Sequence, residues 1–199
     1  TVSAISFATP AETHAGLAMQ ALDAGKHVFI EKPLSLKIED AEALIQKADS
    51  EGLILMVGHL LQYHPIFIHL KKIVEEKKIG NIKYIYSNRL SLGKFRLEEN
   101  VWWSFAPHDL SMILALAGDE PNKVTAQGAC FVTPGIADWT TAQLKFPCGI
   151  QAHLNISWLN PVKEQRLVVI GELGMLVFED SAAEWGKKLA YYRHSIGRS

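Results

Sequence analysis

The residues of this 199-residue chain best suited to chemistry are one lysine and a few histidines. Lys32 stands between a carboxylate and a proline in Glu31-Lys32-Pro33, after the apolar run His27-Val28-Phe29-Ile30. A lysine desolvated in a cleft can take or give a proton near neutral pH. Its bond to Pro33 is a candidate cis peptide. On the tripeptide alone, a solvated loop lysine is the better account. His59 follows Gly58 at the end of another apolar run, and His108 follows Pro107 where a helix is expected to begin. A helix N-terminus favours the neutral imidazole, which suits hydrogen bonding or general-base work. Local capping or packing explains either histidine equally well. His14 reads as an ordinary helix-face residue unless a cofactor lies over it. Tyr63, Arg89, Arg96 and Asn100 are polar groups placed to meet a carboxylate, phosphate or hydroxyl, since arginine's planar fork suits such groups. Arg96 reads better as a surface residue, and Trp102 and Trp103 as core or interface anchors.

The elements around these residues alternate strand and helix at first. After Ala4 to Phe7, Thr9-Pro10-Ala11-Glu12 has the form of a capping box with proline at the first helical position. The predicted helix buries Ala15, Ala18 and Leu22 and stops at Gly25. A second helix, capped by Ser35 and carrying Ala41, Leu44, Ile45 and Ala48, ends at Gly52 before the strand Leu53 to Val57. Short strands joined by helices in this way predict a parallel sheet, whose ligands sit beyond the carboxyl ends of the strands. Those ends are Ala8-Thr9-Pro10, Glu31-Lys32-Pro33 and Gly58-His59.

From Gln62 to His64 the pattern changes. A helix opens at Pro65 and a strand follows from Lys83 to Leu92; a polar loop through Arg96, Glu98 and Asn100 leads to a helix starting at Pro107. Strands then succeed one another at Val124 to Val132, Trp139 to Phe146, Ile150 to Trp158, Leu167 to Ile170 and Met175 to Phe178. Apolar and polar residues alternate from Ile150 to Trp158, which predicts a mostly antiparallel, open sheet with one polar face.

Composition sets the class. The chain is 48% hydrophobic with a formal charge of −1 and no basic stripe, which predicts a globular protein of small-molecule chemistry, without nucleic acid or membrane partners. Cys130 and Cys148 lack metal-ligand spacing, and no zinc pattern, nucleophile elbow or glycine-rich phosphate fingerprint is present. Two ordinary thiols and no apolar run of membrane-spanning length make the cytoplasm the expected location. The chain opens at Thr1 on a strand-like run, which reads as a piece cut from a longer protein.

Taken in order, Ala8-Thr9-Pro10, Glu12-Thr13-His14, Ala24-Gly25-Lys26-His27-Val28, Glu31-Lys32-Pro33-Leu34, Gly58-His59, Tyr63-His64-Pro65 and the run from Trp103 to Ser111 resemble the Gfo/Idh/MocA oxidoreductases. The resemblance implies an α/β chain: residues 1–62 as the C-terminal half of a Rossmann parallel sheet lacking its glycine fingerprint, and residues 63–199 as an α+β substrate-binding and oligomerisation domain. It further implies NAD or NADP as cofactor. Lys32 and His108 would handle the proton of a sugar hydroxyl while hydride moves to or from nicotinamide. Ala8, Thr9, Pro10, His14, Glu31, Pro33 and His59 would belong to the cofactor side; Tyr63, Arg89, Asn100 and Asp109 would face the sugar or nucleotide-sugar. The block from Trp102 to His108 looks most like the branch acting on nucleotide-linked amino sugars or their uronic acids. A glycosidase of the same family and a non-catalytic binding or assembly subunit are the alternatives. Many relatives carry aspartates where this chain has Ser104 and Ser111, which leaves Asp109 as the acid nearest His108 in sequence.

Overall fold

The computed structural model describes residues 2–93, 95–97 and 99–194, so Glu98 of the polar loop lies outside the described residues. The chain divides into two compact units, Thr1–His59 and Leu60–Ser199. Among the described residues, no helix is long and apolar enough to cross a membrane.

The smaller unit is a three-stranded parallel sheet, β1 (Ala4–Phe7), β2 (His27–Ile30) and β3 (Leu55–Val57), in that order, with α1 (Ala11–Asp23) and α2 (Ile38–Ser50) as its connections. Helical spacing brings Ala18, Ala21 and Leu22 of α1 onto Val28 and Ile30, and α2 adds Leu44 and Ala48 to the same core. Ala15 only borders that core, and Ile45 is half exposed. Gly25 adopts the expected left-handed conformation, φ 67°, just beyond α1.

Both expected caps form differently. α1 starts one residue later than the capping box implies: Pro10 holds the N-cap position, and the Thr9 hydroxyl accepts from Thr13 Oγ1 at 2.8 Å. Proline at the N-cap has no side-chain oxygen to offer the first helical N–H groups. Ser35 Oγ accepts from the Lys37 N–H at 3.1 Å, folding the turn before α2, whose N-cap is Lys37.

The larger unit is built on a seven-stranded sheet. Its strands are β4 (Ile82–Leu90), β5 (Lys123–Ala129), β6 (Trp139–Lys145), β7 (Gln151–Ser157), β8 (Glu164–Gly171), β9 (Gly174–Glu179) and β10 (Leu189–Arg193). The order is β10-β9-β8-β4-β7-β6-β5, antiparallel except for the central β4–β7 pair. The edge strand β10 has no counterpart in the sequence reading; its residues Leu189-Ala190-Tyr191-Tyr192-Arg193 pair with β9. α3 (Pro65–Glu75) and α4 (Val101–Ala117) supply Phe67, Leu70, Val101, Met112 and Ile113 to a core whose sheet side includes Ile85, Leu154, Ile156, Val169 and Phe178. The opposite face carries Tyr84, Tyr86, His153 and Asn155, with the Tyr86 ring stacked on His153 at 5.4 Å.

α4 departs most from expectation. It begins at Val101, so Pro107 lies inside it. Asn100 caps the helix by accepting the Trp103 N–H at 3.2 Å, and Pro107, its seventh residue, lacks the N–H of an interior ladder bond and crowds the carbonyl four residues back. Gly118 closes it with φ 70°. His108 therefore sits in the body of α4, and the argument from a helix N-terminus does not apply to it.

Leu154 is fully buried in the larger core. Leu154→Ala is expected to lower unfolding stability by about 2–5 kcal/mol, read by urea denaturation of the chain.

Candidate active site

In the smaller unit the ladder continues past the strand ends. The Glu31 N–H donates to the Phe7 carbonyl at 3.0 Å and the Gly58 N–H to the Ile30 carbonyl at 2.8 Å. Parallel pairing thus delivers Ala8-Thr9-Pro10, Glu31-Lys32-Pro33 and Gly58-His59 to one edge of the sheet. Ala8, Thr9 and Pro10 are exposed, Glu31, Lys32 and His59 half-buried, and Pro33 buried. The Lys32–Pro33 peptide is cis, the candidate isomer named from the sequence.

Gly58 has a steric reason. A Cβ there would lie 3.2 Å from Glu31 Oε1 and 3.3 Å from Phe29 Cζ, so a side chain would press on the Glu31 carboxylate. His59 follows directly. Burial first, and the Lys32 charge second, hold its pKa below the ordinary imidazole range, with Glu31 opposing. Its Nδ1 is buried and has no hydrogen-bond partner among the described residues. His59 is therefore a neutral ring at pH 7, next to a cation and a carboxylate.

His14 is the fourth residue of α1 and only 1% exposed. Its Nδ1 lies 2.7 Å from the Pro33 carbonyl oxygen and its Nε2 2.9 Å from that of Thr9.

In the larger unit, Arg89 and Asp109 meet each other. The Arg89 guanidinium pairs with the Asp109 carboxylate, which also accepts the Ser87 hydroxyl. Arg89 is 6% and Asp109 1% exposed, so this pair lies inside the layer between β4 and α4. Losing one partner of such a buried pair costs about 3–5 kcal/mol, because the other charge is stranded. Ser87 was not singled out from the sequence. The signal lies in β4's alternation, where Ile85, Ser87 and Arg89 share the inward face.

One residue before Asp109, His108 is half-buried on α4. Ser111 donates its hydroxyl to the His108 carbonyl at 2.8 Å, and Gln62 Nε2 donates to the Ser111 carbonyl at 2.7 Å. Gln62 thereby ties the short 3-10 turn Leu60–Tyr63 to α4. Tyr63 itself is 63% exposed, while Asn100 is spent on capping. Among the described residues no cluster of three or more His, Cys, Asp or Glu side chains is arranged for a metal.

Residues 1–59 match the oxidoreductase family model with an NAD-binding Rossmann fold, and residues 67–177 match the GFO/IDH/MocA C-terminal domain. The chain belongs to the Gfo/Idh/MocA oxidoreductase family. It is 36% identical over 169 residues to a UDP-N-acetylglucosamine 3-dehydrogenase of Acidithiobacillus ferrooxidans, a match covering 83% of this chain and 52% of that protein. A crystal form of the A. ferrooxidans enzyme superposes with a TM-score of 0.84 at 30% identity, covering 100% of this chain and 64% of the other. The WlbA dehydrogenase of Bordetella pertussis, solved with NADH and UDP-GlcNAcA, shares the fold at TM-score 0.86 and 21% identity, covering 99% of this chain and 65% of that one. The chain spans about half the length of the curated relatives it matches.

The smaller unit fits a nicotinamide cofactor in one respect its geometry shows. Exposed strand-end residues Ala8, Thr9 and Pro10 lie on the same sheet edge as His59, whose buried Nδ1 has no hydrogen-bond partner among the described residues.

Because the unfolded state holds a proton on His59 more readily than the folded state, this residue's contribution to stability rises with pH through the window ending at its ordinary pKa. An NMR titration should place the His59 midpoint below the ordinary imidazole range. Lys32→Ala should raise that midpoint, since a neighbouring positive charge is removed; a midpoint that stays put would separate Lys32 from His59 electrostatically.

Proposed function

We propose that the protein containing this chain is an NAD(P)-dependent dehydrogenase that oxidises or reduces a secondary alcohol of a sugar or nucleotide-sugar. Lys32 and His108 handle the hydroxyl proton. The observation that carries the reading is Glu31-Lys32-Pro33 at the carboxyl end of β2, beside a neutral His59, in a chain of this family. The family model's description supports NAD, and the 36% identical UDP-N-acetylglucosamine 3-dehydrogenase supports a nucleotide-linked amino sugar.

When bound, the nicotinamide supplies a hydride acceptor or donor. Ala8, Thr9, Pro10, Glu31 and Pro33 would hold its ribose end, with the neutral His59 beside that pocket. Lys32 would contact the reacting hydroxyl and, with His108, manage its proton. Buried charge on the Arg89–Asp109 pair holds β4 against α4 and so sets where His108 stands. Tyr63, exposed on its turn, contacts the sugar, as does the surface around Asn100. A second copy of the chain packs on the polar face of the seven-stranded sheet, and the two exposed thiols fit a reducing cytoplasm.

Two measurements test this reading. In the full-length gene product, Lys32→Ala should reduce NADH formation from UDP-N-acetylglucosamine by on the order of 10²–10⁴-fold. Unchanged turnover removes Lys32 from the chemistry. Sedimentation velocity should show a species larger than a monomer, and Tyr86→Arg on the open face should return it to monomer.

A further inference from the structure

The turn of α4 that carries His108 is weakened from within. Pro107, inside the helix, has no N–H to give the Trp103 carbonyl. Ser111 turns its hydroxyl back on the His108 carbonyl at 2.8 Å, a local bond of the kind that competes with the helical ladder and bends it. A turn in this state needs contacts from other elements to hold its place. On its inward side Asp109 supplies one, through the buried pair with Arg89 of β4. We infer that Gln62 supplies the second and is a positioning residue for His108. Its Nε2 donates to the Ser111 carbonyl at 2.7 Å in a half-buried setting. A main-chain carbonyl only accepts, so the amide presents its NH₂ group there, and no titration enters the contact.

The base of this tie is itself fixed. Gln62 lies in the 3-10 turn Leu60–Tyr63, where Leu61 packs against the larger core. The His64 N–H donates to the Leu61 carbonyl at 3.2 Å, and the His64 side chain caps α3 by accepting the Ile66 N–H at 3.2 Å. The His64 ring centroid also lies 5.1 Å from that of Phe178 and 5.5 Å from that of Trp185. One tie leaves a helix free to roll about its contact. Ties at Asp109 and Ser111, coming from different elements, fix the roll as well as the distance. A helix with its side chains has a radius of about 5–6 Å, so a roll of about 10° carries a side-chain tip through about 1 Å. A misplacement of that size at a reacting group can cost about 10²-fold in rate. Gln62 acts through α4 and His108 rather than on the reacting atoms, and its effect on rate rests on the role proposed above for His108.

Two measurements on the full-length protein decide it. NMR should detect scalar coupling across the hydrogen bond from Gln62 Nε2 to the Ser111 carbonyl carbon; no coupling overturns the tie. Gln62→Met keeps the length of the side chain and removes the donor. It should lower kcat by about 5- to 50-fold with KM for the sugar shifted less than about threefold, since small misplacements of a reacting group are costly. Added to His108→Ala, it should cost less than about twofold more, as expected of residues acting as a unit. Three outcomes overturn the positioning role: an effect that multiplies fully in the His108→Ala background, a raised KM with kcat unchanged, which would assign the donor to the neighbouring Tyr63, or a loss of thermal stability with kcat unchanged. If His108→Ala alone leaves kcat intact, the role proposed for His108 fails, while the NMR coupling still decides the tie. Should Gln62→Met not fold, Gln62→Glu, which keeps the shape and at neutral pH has no donor, carries the same comparison.

Discussion

Each of the two units depends on a strand whose backbone is hydrogen-bonded on both edges. In the smaller unit that strand is β2, held between β1 and β3; in the larger it is β4, held between β7 and β8. A backbone amide removed from water must find a partner, so a strand paired on both sides has little freedom to slip or fray. β2 ends at Glu31-Lys32, and β4 carries Arg89 near its own end. In each unit, backbone paired on both sides therefore carries or braces residues on which the proposed chemistry depends.

From those strands outward, polar groups are arranged by what they leave satisfied. Arg89 and Asp109 are charges that a sheet–helix layer tolerates because they neutralise each other and because Ser87 adds a further donor. His14 sets its ring nitrogens against main-chain carbonyl oxygens. His59 differs: its buried Nδ1 has no hydrogen-bond partner among the described residues, and burial together with Lys32 keeps it neutral. An unsatisfied buried nitrogen costs stability in the free protein, which is why such an atom draws attention as a binding group.

The reading from sequence reached furthest where periodicity was strong. Strands β1 to β3, the alternation of β7 and the glycine closing α1 follow from local pattern, because apolar spacing and the left-handed preference of glycine act within a few residues. Family motifs carried the choice of Lys32 and His108, which spacing alone left level with bland alternatives. Caps were read less well. Thr9 and Ser35 each have a suitable hydroxyl, but one receives a threonine side chain and the other folds a preceding turn. Pro107 read as a helix start, whereas the Asn100 cap had already begun α4. A hydroxyl or a proline states what a position permits, and the neighbouring turns select among the permitted uses.

By itself the sequence determined that a parallel α/β segment precedes an open, mostly antiparallel sheet, and which lysine stands at a strand end. It did so because backbone periodicity and steric preferences are written residue by residue. Only the tertiary structure decided that Arg89 turns inward onto Asp109, that Ser87 joins them, and that His14 spans the carbonyls of Thr9 and Pro33. These are contacts between residues as many as 22 positions apart in sequence, made by side-chain atoms whose partners exist only once the sheet and helices have packed.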